Sequence, residues 1–96
     1  MNVTYSPEAQ EDLAEIGIYI ALDNDRQAET FVASLRQKAR QIAYAPRIYR
    51  SRDDLAPGLR SAAVGNYLLL FRIVGNGIEI VHIVHGARDL KRLFEE

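Results

Sequence analysis

The stretch from Asn66 to His85 restricts the fold more than any other part of the chain, because it joins two apolar runs rich in β-branched and aromatic residues. The runs meet at Gly75-Asn76-Gly77, and Asn and Gly tolerate the positive φ angles of tight hairpin turns. The pattern therefore predicts the central hairpin of one small sheet.

The register of this hairpin decides which side chains share a face. A two-residue turn at Asn76-Gly77 places Gly75 opposite Ile78, and side chains alternate between the two faces of a strand. One face then carries Tyr67, Leu69, Phe71, Ile73, Ile78, Ile80, His82 and Val84. The other, with charges at its margins, carries Leu68, Leu70, Arg72, Val74, Glu79, Val81, Ile83 and His85. A slip of one residue would exchange these sets on one strand.

Length and composition indicate a single small domain, residues 1–96. Hydrophobic residues make up 48% of the 96 residues and charged residues 26%, which is ordinary for a globular protein. The chain has no cysteine, which excludes disulfides and leaves the redox compartment open. Its start lacks the features of a secretory signal and no apolar run approaches the ~20 residues of a membrane span, so we expect a cytoplasmic protein that contacts no membrane. A net charge of −1 argues against a protein held on nucleic acid by a phosphate-neutralising surface.

The basic residues are nevertheless concentrated in the second half of the chain. Residues 46–96 hold eight bases, and seven of them are Arg. Guanidinium groups suit carboxylates or phosphates on a partner. An ordinary soluble surface explains the same distribution, and both interpretations stay open.

Two amphipathic helices precede the hairpin. Ser6, Pro7 and Glu8 are typical of the start of a helix, and the apolar spacing continues to about Leu22. Asp23-Asn24-Asp25 supplies a turn and a cap for a second helix, which Pro46 ends. The apolar positions of the two helices are Ala9, Leu13, Ile16 and Ile20, then Ala28, Phe31, Val32, Leu35, Ala39 and Ile42. Because the connection is short, we expect an antiparallel helical hairpin over one face of the sheet.

The segment from Pro46 to Gly58 is predicted to be irregular. Its Arg residues, interleaved with Tyr49, are compatible with a nucleic-acid contact. The adjacent acids Asp53 and Asp54 favour surface ion pairs instead.

The predicted order of elements gives an α+β fold. A strand over Leu59–Val64 leads into the hairpin, residues 2–5 form a first strand, and Asp89 caps a short last helix. The chain is thus β-α-α-β-β-β with a short C-terminal helix, an antiparallel-rich sheet packed on a helical hairpin.

No catalytic, cofactor or metal site is predicted from the residues. His82 and His85 are three apart on one strand and point to opposite faces, so they do not form a simple metal-binding pair. The glycines form no phosphate-binding loop, and no Ser has a neighbouring base.

Arginines on strands and at strand ends remain as candidate functional groups: Arg60, Arg72 and Arg88. An Arg on an apolar sheet surface is costly to desolvate unless it is paired. An intramolecular pair, such as Arg72 with Glu79, and an anchor for an acidic partner or nucleic acid are both open.

Several short segments, ordered along nearly the whole chain, are similar to those of one family. They are Tyr5-Ser6-Pro7-Glu8-Ala9 with Asp12-Leu13 and Ile16, Ala28 with Phe31, Ala45-Pro46, Gly58-Leu59-Arg60, Val64-Gly65-Asn66-Tyr67, Leu70-Phe71-Arg72, and Ile83-Val84-His85-Gly86-Ala87-Arg88-Asp89. The set resembles the ParE toxins of type II toxin–antitoxin systems, in the RelE/ParE superfamily. The family's β-α-α-β-β-β fold agrees with the order predicted above.

The resemblance also bears on catalysis. The RelE branch of the superfamily cuts messenger RNA on the ribosome with basic residues of the sheet and a C-terminal tyrosine. The similar positions here hold Ser61, Ala63 and Phe94, and only Arg88 matches. Because no group is available to activate the 2′-hydroxyl or protonate the leaving oxygen, we expect no ribonuclease activity and no enzyme.

The ParE branch implies a toxin that inhibits DNA gyrase by binding and is neutralised by a ParD-like antitoxin in a hetero-oligomer. DNA would be contacted only through the antitoxin, whose C-terminal segment wraps the helical hairpin and sheet. The predicted partner-binding residues are Arg60, Leu68, Leu70, Arg72, Val81, Ile83, His85 and Arg88. Two alternatives remain: a ribosome-dependent endonuclease with a rearranged site, and a non-toxic antitoxin-binding autoregulator.

Overall fold

The computed structural model describes residues 2–95 and has the predicted α+β architecture. Its elements are β1 (Val3–Tyr5), α1 (Pro7–Ala21), α2 (Asp25–Tyr44), a 3₁₀ turn (Pro46–Ile48), β2 (Arg50–Ser51), β3 (Leu59–Val64), β4 (Tyr67–Val74), β5 (Gly77–His85) and α3 (Leu90–Leu93). The sheet order is β1-β5-β4-β3-β2, with β1 parallel to β5 and the other pairs antiparallel. The two-residue β2 lies in the segment that was expected to be irregular. No helix within residues 2–95 combines the length and the apolar character of a membrane span.

Side-chain caps fix the starts of both long helices. The Ser6 hydroxyl accepts a hydrogen bond from the Ala9 N–H at 3.0 Å, and the Asn24 side-chain oxygen accepts one from the Gln27 N–H at 3.0 Å. Such caps satisfy backbone donors that the first turn leaves free. The predicted helical hairpin is confirmed, with its connection at residues 22–24.

The main core lies between the helical hairpin and one face of the sheet. Large side chains from α2 and the central strands are almost fully excluded from solvent, and small residues of α1 and α2 allow the layers to approach. The core comprises Ala9, Leu13, Ile16, Leu35, Ala39, Ile42, Ala43, Ala62, Leu69, Phe71, Ile78, Ile80 and Ile83.

The central hairpin is confirmed, but its predicted turn is wrong by one residue. Val74 lies opposite Gly77, so the two turn residues are Gly75 and Asn76. Gly75 has φ +59° and Asn76 has no positive φ, as in a type II′ turn. Gly77 is glycine for another reason, since a Cβ there would collide with the Asn2 carbonyl oxygen as the chain passes β1.

A β-bulge in β5 overturns part of the predicted face assignment. Phe71 lies opposite Ile80 and Leu70 lies opposite His82, so Val81 has no opposing residue. An extra residue reverses the side-chain alternation of everything that follows it. Ile83 and His85 therefore lie on the face of the helical hairpin, and His82 and Val84 lie on the other face, the reverse of the prediction.

The other face of the sheet has a smaller core of its own. Leu59, Leu70 and Val84 are buried there. Partly buried side chains pack against them from three places: Leu55 and Ala56 in the segment after β2, Leu68 and Val81 in the sheet itself, and Leu90, Leu93 and Phe94 at the C-terminal helix. This face is therefore covered by the chain itself.

Candidate partner-binding surfaces

The Arg60 side chain forms hydrogen bonds with the backbone of another segment of the same chain. Its Nη1 donates to the Tyr49 carbonyl at 2.7 Å and to the Arg47 carbonyl at 3.3 Å. These bonds tie β3 to the 3₁₀ turn at Pro46–Ile48. The guanidinium thus directs its Nη1 donors to backbone oxygens, an internal role that sequence reasoning had left open beside a partner contact.

The apolar residues predicted to contact a partner are less accessible than expected. Leu70 is 0% exposed beneath the second core's covering segments, and Ile83 is 2% exposed beneath the helices. Leu68 and Val81 are half-buried in the second core. Leu70 and Ile83, two of the predicted partner contacts, are therefore not accessible at the surface, because α3 and the segment after β2 pack over Leu70 and the bulge turns Ile83 towards the helices.

The remaining predicted residues lie at separate places. Arg72 lies opposite Glu79 in the register, yet no ion pair within 4.0 Å joins them in residues 2–95. His85 is exposed on the hairpin side, where its Nδ1 accepts the Ala87 N–H at 3.1 Å. Arg88 is exposed in the turn before α3, where its N–H donates to the His85 carbonyl at 3.0 Å.

The predicted surface pairing in the Arg-rich segment is confirmed for one pair. Arg52 donates two hydrogen bonds of 3.1 Å to the carboxylate of Asp54. The hydrogen bond from Arg52 is the main reason that the pKa of Asp54 lies below its usual value. Arg47 and Arg50 are exposed beside this pair.

An accessible apolar surface lies on the outside of the helical hairpin. Gly17 of α1 and Val32 of α2 form the floor of a groove between the helices, since a Cβ on Gly17 would lie 3.6 Å from Val32 Cγ2. We call this the hairpin groove; its lining residues are Gly17, Ala28, Glu29, Val32, Ala33 and Arg36. At the end of α1, Ile18 is 66% exposed and Leu22 is 80% exposed.

Sequence reasoning missed the exposed apolar side chains of α1 although a signal was present. Ala14, Ile18 and Leu22 recur every four residues, which places them on one stripe of the helix, on the side away from the core stripe. The core of the protein buries only one of the two apolar stripes of α1, and the other stripe stays exposed to solvent. Such a helix is a candidate for contact with another chain.

A row of aromatic rings lies beside the helical hairpin, next to the β3–β4 turn. Phe31, Tyr67 and His85 lie in a row, with both pairs of neighbouring ring centroids 5.4 Å apart. Exposed Tyr19 and the turn residues Gly65 and Asn66 complete a shallow pocket. We call this row of tilted and edge-on rings the aromatic wall.

These surfaces are suited to binding macromolecules. Within residues 2–95, no group of three or more His, Asp or Glu side chains could hold a metal ion. The accessible features are an apolar groove, an aromatic wall and exposed Arg side chains. All of them are typical of protein–protein contacts.

Solved structures with a similar fold come from toxin–antitoxin complexes. A chain of the "Chromosomal ParDE TA system from P. aeruginosa" superposes with a TM-score of 0.74 at 22% identity, over 88% of this chain and 95% of that one. A chain of the "YoeB-YefM complex from Staphylococcus aureus" superposes with a TM-score of 0.62 at 20% identity and the same coverage. At these identities the likeness defines the fold alone.

Sequence relatives define the family. Toxin ParE1 of Mycobacterium tuberculosis is 36% identical over 90 residues, which cover 91% of each chain. Toxin ParE3 of Caulobacter vibrioides is 40% identical over 45 residues, or 47% of this chain and 45% of that protein. The family model described as "ParE toxin of type II toxin-antitoxin system, parDE" matches residues 3–90. The chain therefore belongs to the ParE toxin family of type II toxin–antitoxin systems.

Proposed function

We propose that this toxin is held inactive by an antitoxin that covers the hairpin groove, and that the free toxin inhibits DNA gyrase by binding to it. The observation that carries the first part is the hairpin groove, together with the exposed side chains of Ile18 and Leu22 on the same helical hairpin. Burying each of these two side chains fully is worth about 1.5–3 kcal/mol. An amphipathic helix of a partner suits a groove of this kind.

The second part, inhibition by binding alone, is supported by the residues at the positions that are basic or tyrosine in the RelE branch. Ser61 is 8% exposed, Ala63 carries no functional group, and Phe94 packs edge-on against His82 with ring centroids 6.0 Å apart. None of the three side chains offers a general acid or base at neutral pH. Binding to a target then requires a surface, for which Arg72, Arg88 and the aromatic wall are candidates.

A gyrase assay with purified toxin tests the proposal. The toxin is added to gyrase and relaxed plasmid, and supercoiling and cleaved DNA are measured with and without the antitoxin encoded beside the toxin gene. We expect inhibition with accumulation of cleaved DNA, and its reversal by the antitoxin. Unchanged gyrase activity at a large molar excess of folded toxin would refute the target, and codon-positioned cuts in translated messages would establish the endonuclease alternative.

A further inference from the structure

The segment that joins α2 to β2 exposes two large apolar side chains. Tyr44, the last residue of α2, is 76% exposed, and Ile48, in the 3₁₀ turn, is 79% exposed. Arg47 and Arg50, on either side of Ile48 in the sequence, are also exposed. We call these four residues the turn face. Tyr and Arg are enriched among the side chains that contribute most to binding at protein interfaces, so the turn face has the composition of a contact surface.

Internal contacts hold the backbone of the turn face in place. Arg60 donates hydrogen bonds to the carbonyls of Arg47 and Tyr49, and the Tyr49 ring packs edge-on against buried Phe71 with ring centroids 6.0 Å apart. Tyr49 thus packs against the main core, while its neighbour Ile48 stays exposed to solvent. Because this backbone is already ordered in the free toxin, binding a partner costs little further conformational entropy.

The region around the turn face is strongly basic. The whole chain has a net charge of −1, but residues 38–60 hold six Lys or Arg residues and two acids. Arg52 already binds one of these acids, Asp54, with two hydrogen bonds. Within residues 2–95, no carboxylate lies within 4.0 Å of the Arg47 or Arg50 guanidinium. An acidic surface of a partner would supply the missing carboxylates, and complementary charge also speeds association.

We propose that the turn face is the surface through which the toxin binds gyrase, and that its counterpart on gyrase is an acidic surface with an apolar recess for Tyr44 and Ile48. The inference rests on the proposed function in taking gyrase as the target. DNA would also attract Arg47 and Arg50, but a phosphate backbone offers no apolar surface to the other two side chains. A protein surface satisfies all four residues of the turn face.

The turn face lies apart from the hairpin groove. Tyr44 follows the groove residue Ala33 by about three helical turns, or about 16 Å along α2, and Ile48 lies beyond the end of that helix. The turn face combines apolar and basic side chains in one segment, whereas Arg72 and Arg88 lie at separate places in the structure. Substitutions here should therefore separate binding of the target from binding of the antitoxin.

Charge reversal tests the electrostatic part with three measurements. We expect Arg47→Glu combined with Arg50→Glu to raise the toxin concentration for half-maximal gyrase inhibition at least tenfold, to abolish growth arrest in cells that express the toxin, and to change antitoxin affinity less than threefold. Arg26→Glu combined with Arg92→Glu, at exposed positions outside residues 38–60, carries the same charge change and should leave all three quantities unchanged. Equal loss of gyrase inhibition in both double variants would overturn the role of the turn face.

A single substitution tests the apolar part. Ile48→Ser removes most of an exposed apolar side chain and should weaken gyrase inhibition at least tenfold. Val74→Ser makes a similar change at a position that is 56% exposed at the end of β4, and it should weaken inhibition less than threefold. Circular dichroism checks that each variant is folded. Inhibition by Ile48→Ser equal to that by the unmodified toxin would overturn the apolar recess.

Fluorescence anisotropy of a labelled DNA duplex, measured with the toxin alone, tests whether the partner is a protein. We expect no binding of the duplex at toxin concentrations that inhibit gyrase. Duplex binding that is lost in the Arg47/Arg50 variant would overturn the proposal, because the turn face would then contact DNA and not gyrase.

The outcomes separate this inference from the proposed function. If the unmodified toxin inhibits gyrase and the turn-face variants inhibit it equally well, the inference fails and the gyrase target stands. If the unmodified toxin arrests growth without affecting gyrase, the proposed target fails and the inference fails with it. A loss of antitoxin affinity as large as the loss of gyrase inhibition would also overturn the inference, because the turn face would then belong to the antitoxin-binding surface.

Discussion

Asp12 and His82 join the first helix to the bulged strand. One carboxylate oxygen of Asp12, Oδ2, lies 3.1 Å from His82 Nδ1 and also accepts the Ile83 N–H at 2.9 Å. The two residues are 70 positions apart in the sequence. The side chain of Asp12 thus accepts a backbone hydrogen bond from the edge of β5, in the part of that strand that lies beyond the end of β1.

Replacing Asp12 should therefore destabilise the fold. Asp12→Ala leaves the Ile83 N–H and His82 without their acceptor, and an unsatisfied buried donor costs about 1–3 kcal/mol. Asp12→Asn keeps an oxygen acceptor for Ile83 and should cost less. Urea unfolding monitored by circular dichroism measures both, with Glu11→Ala at the adjacent exposed position as control. Equal stability of the Asp12→Ala and Glu11→Ala variants would contradict this role.

Arg60 should behave as a structural residue. Arg60→Ala removes the two hydrogen bonds to the Tyr49 and Arg47 carbonyls, and we expect a loss of about 1–3 kcal/mol in the free energy of unfolding. Arg50→Ala, at an exposed position of β2, should change stability by less than about 0.5 kcal/mol. If Arg60→Ala weakened antitoxin binding and left the unfolding midpoint unchanged, the structural role of Arg60 would be ruled out. The residue would then be a partner contact.

Gly17→Ala should have opposite effects on stability and on binding. The new methyl group makes an ordinary 3.6 Å contact with Val32, and Ala is favoured over Gly in a helix by about 1 kcal/mol, so the free toxin should become more stable. The same methyl group raises the floor of the hairpin groove, and we expect antitoxin affinity to fall severalfold. Thermal unfolding and calorimetric titration measure the two quantities. An increase in both thermal stability and antitoxin affinity would mean that the hairpin groove is not the binding site.

Stability should fall at alkaline pH through Tyr5. Burial raises the pKa of the Tyr5 hydroxyl in the folded state above its usual value of 10.0. Above pH 10 the unfolded chain releases this proton while the folded protein retains it, so rising pH favours unfolding; below pH 10 both states hold the proton and the term vanishes. Tyr5→Phe should reduce the fall between pH 9 and 11, and Tyr44→Phe, at an exposed position, should not. If the free energy of unfolding fell equally with pH in the two variants, the contribution of Tyr5 would be contradicted.

Local signals predicted most of the fold. Ser6 and Pro7 mark the start of α1, and β3 spans the predicted Leu59–Val64 because both of its ends carry turn residues. The bulge at Val81 has no comparable local signature; the side chains that bond the backbone of β5 beside it, Ser6 and Asp12, are distant in the sequence. One inserted residue was enough to reverse the faces of Ile83 and His85.

The candidate surfaces were harder to predict for a related reason. The apolar sheet face was identified from its composition, but its exposure to solvent depends on which other segments of the chain pack against it. Leu93 and Phe94 of the C-terminal segment cover it, and that packing is not encoded in the strands themselves.

The measurement that most directly tests the account is a calorimetric titration of the antitoxin into three toxin variants. Ala33→Arg places a charge in the hairpin groove, Gln37→Arg adds the same charge one turn along α2 outside it, and Arg72→Ala alters the sheet. We predict that Ala33→Arg weakens binding at least tenfold, or about 1.4 kcal/mol, while the other two change it less than threefold. Unchanged antitoxin affinity for Ala33→Arg together with a large loss of affinity for Arg72→Ala would contradict the account. That result would indicate that the antitoxin binds the sheet and not the hairpin groove.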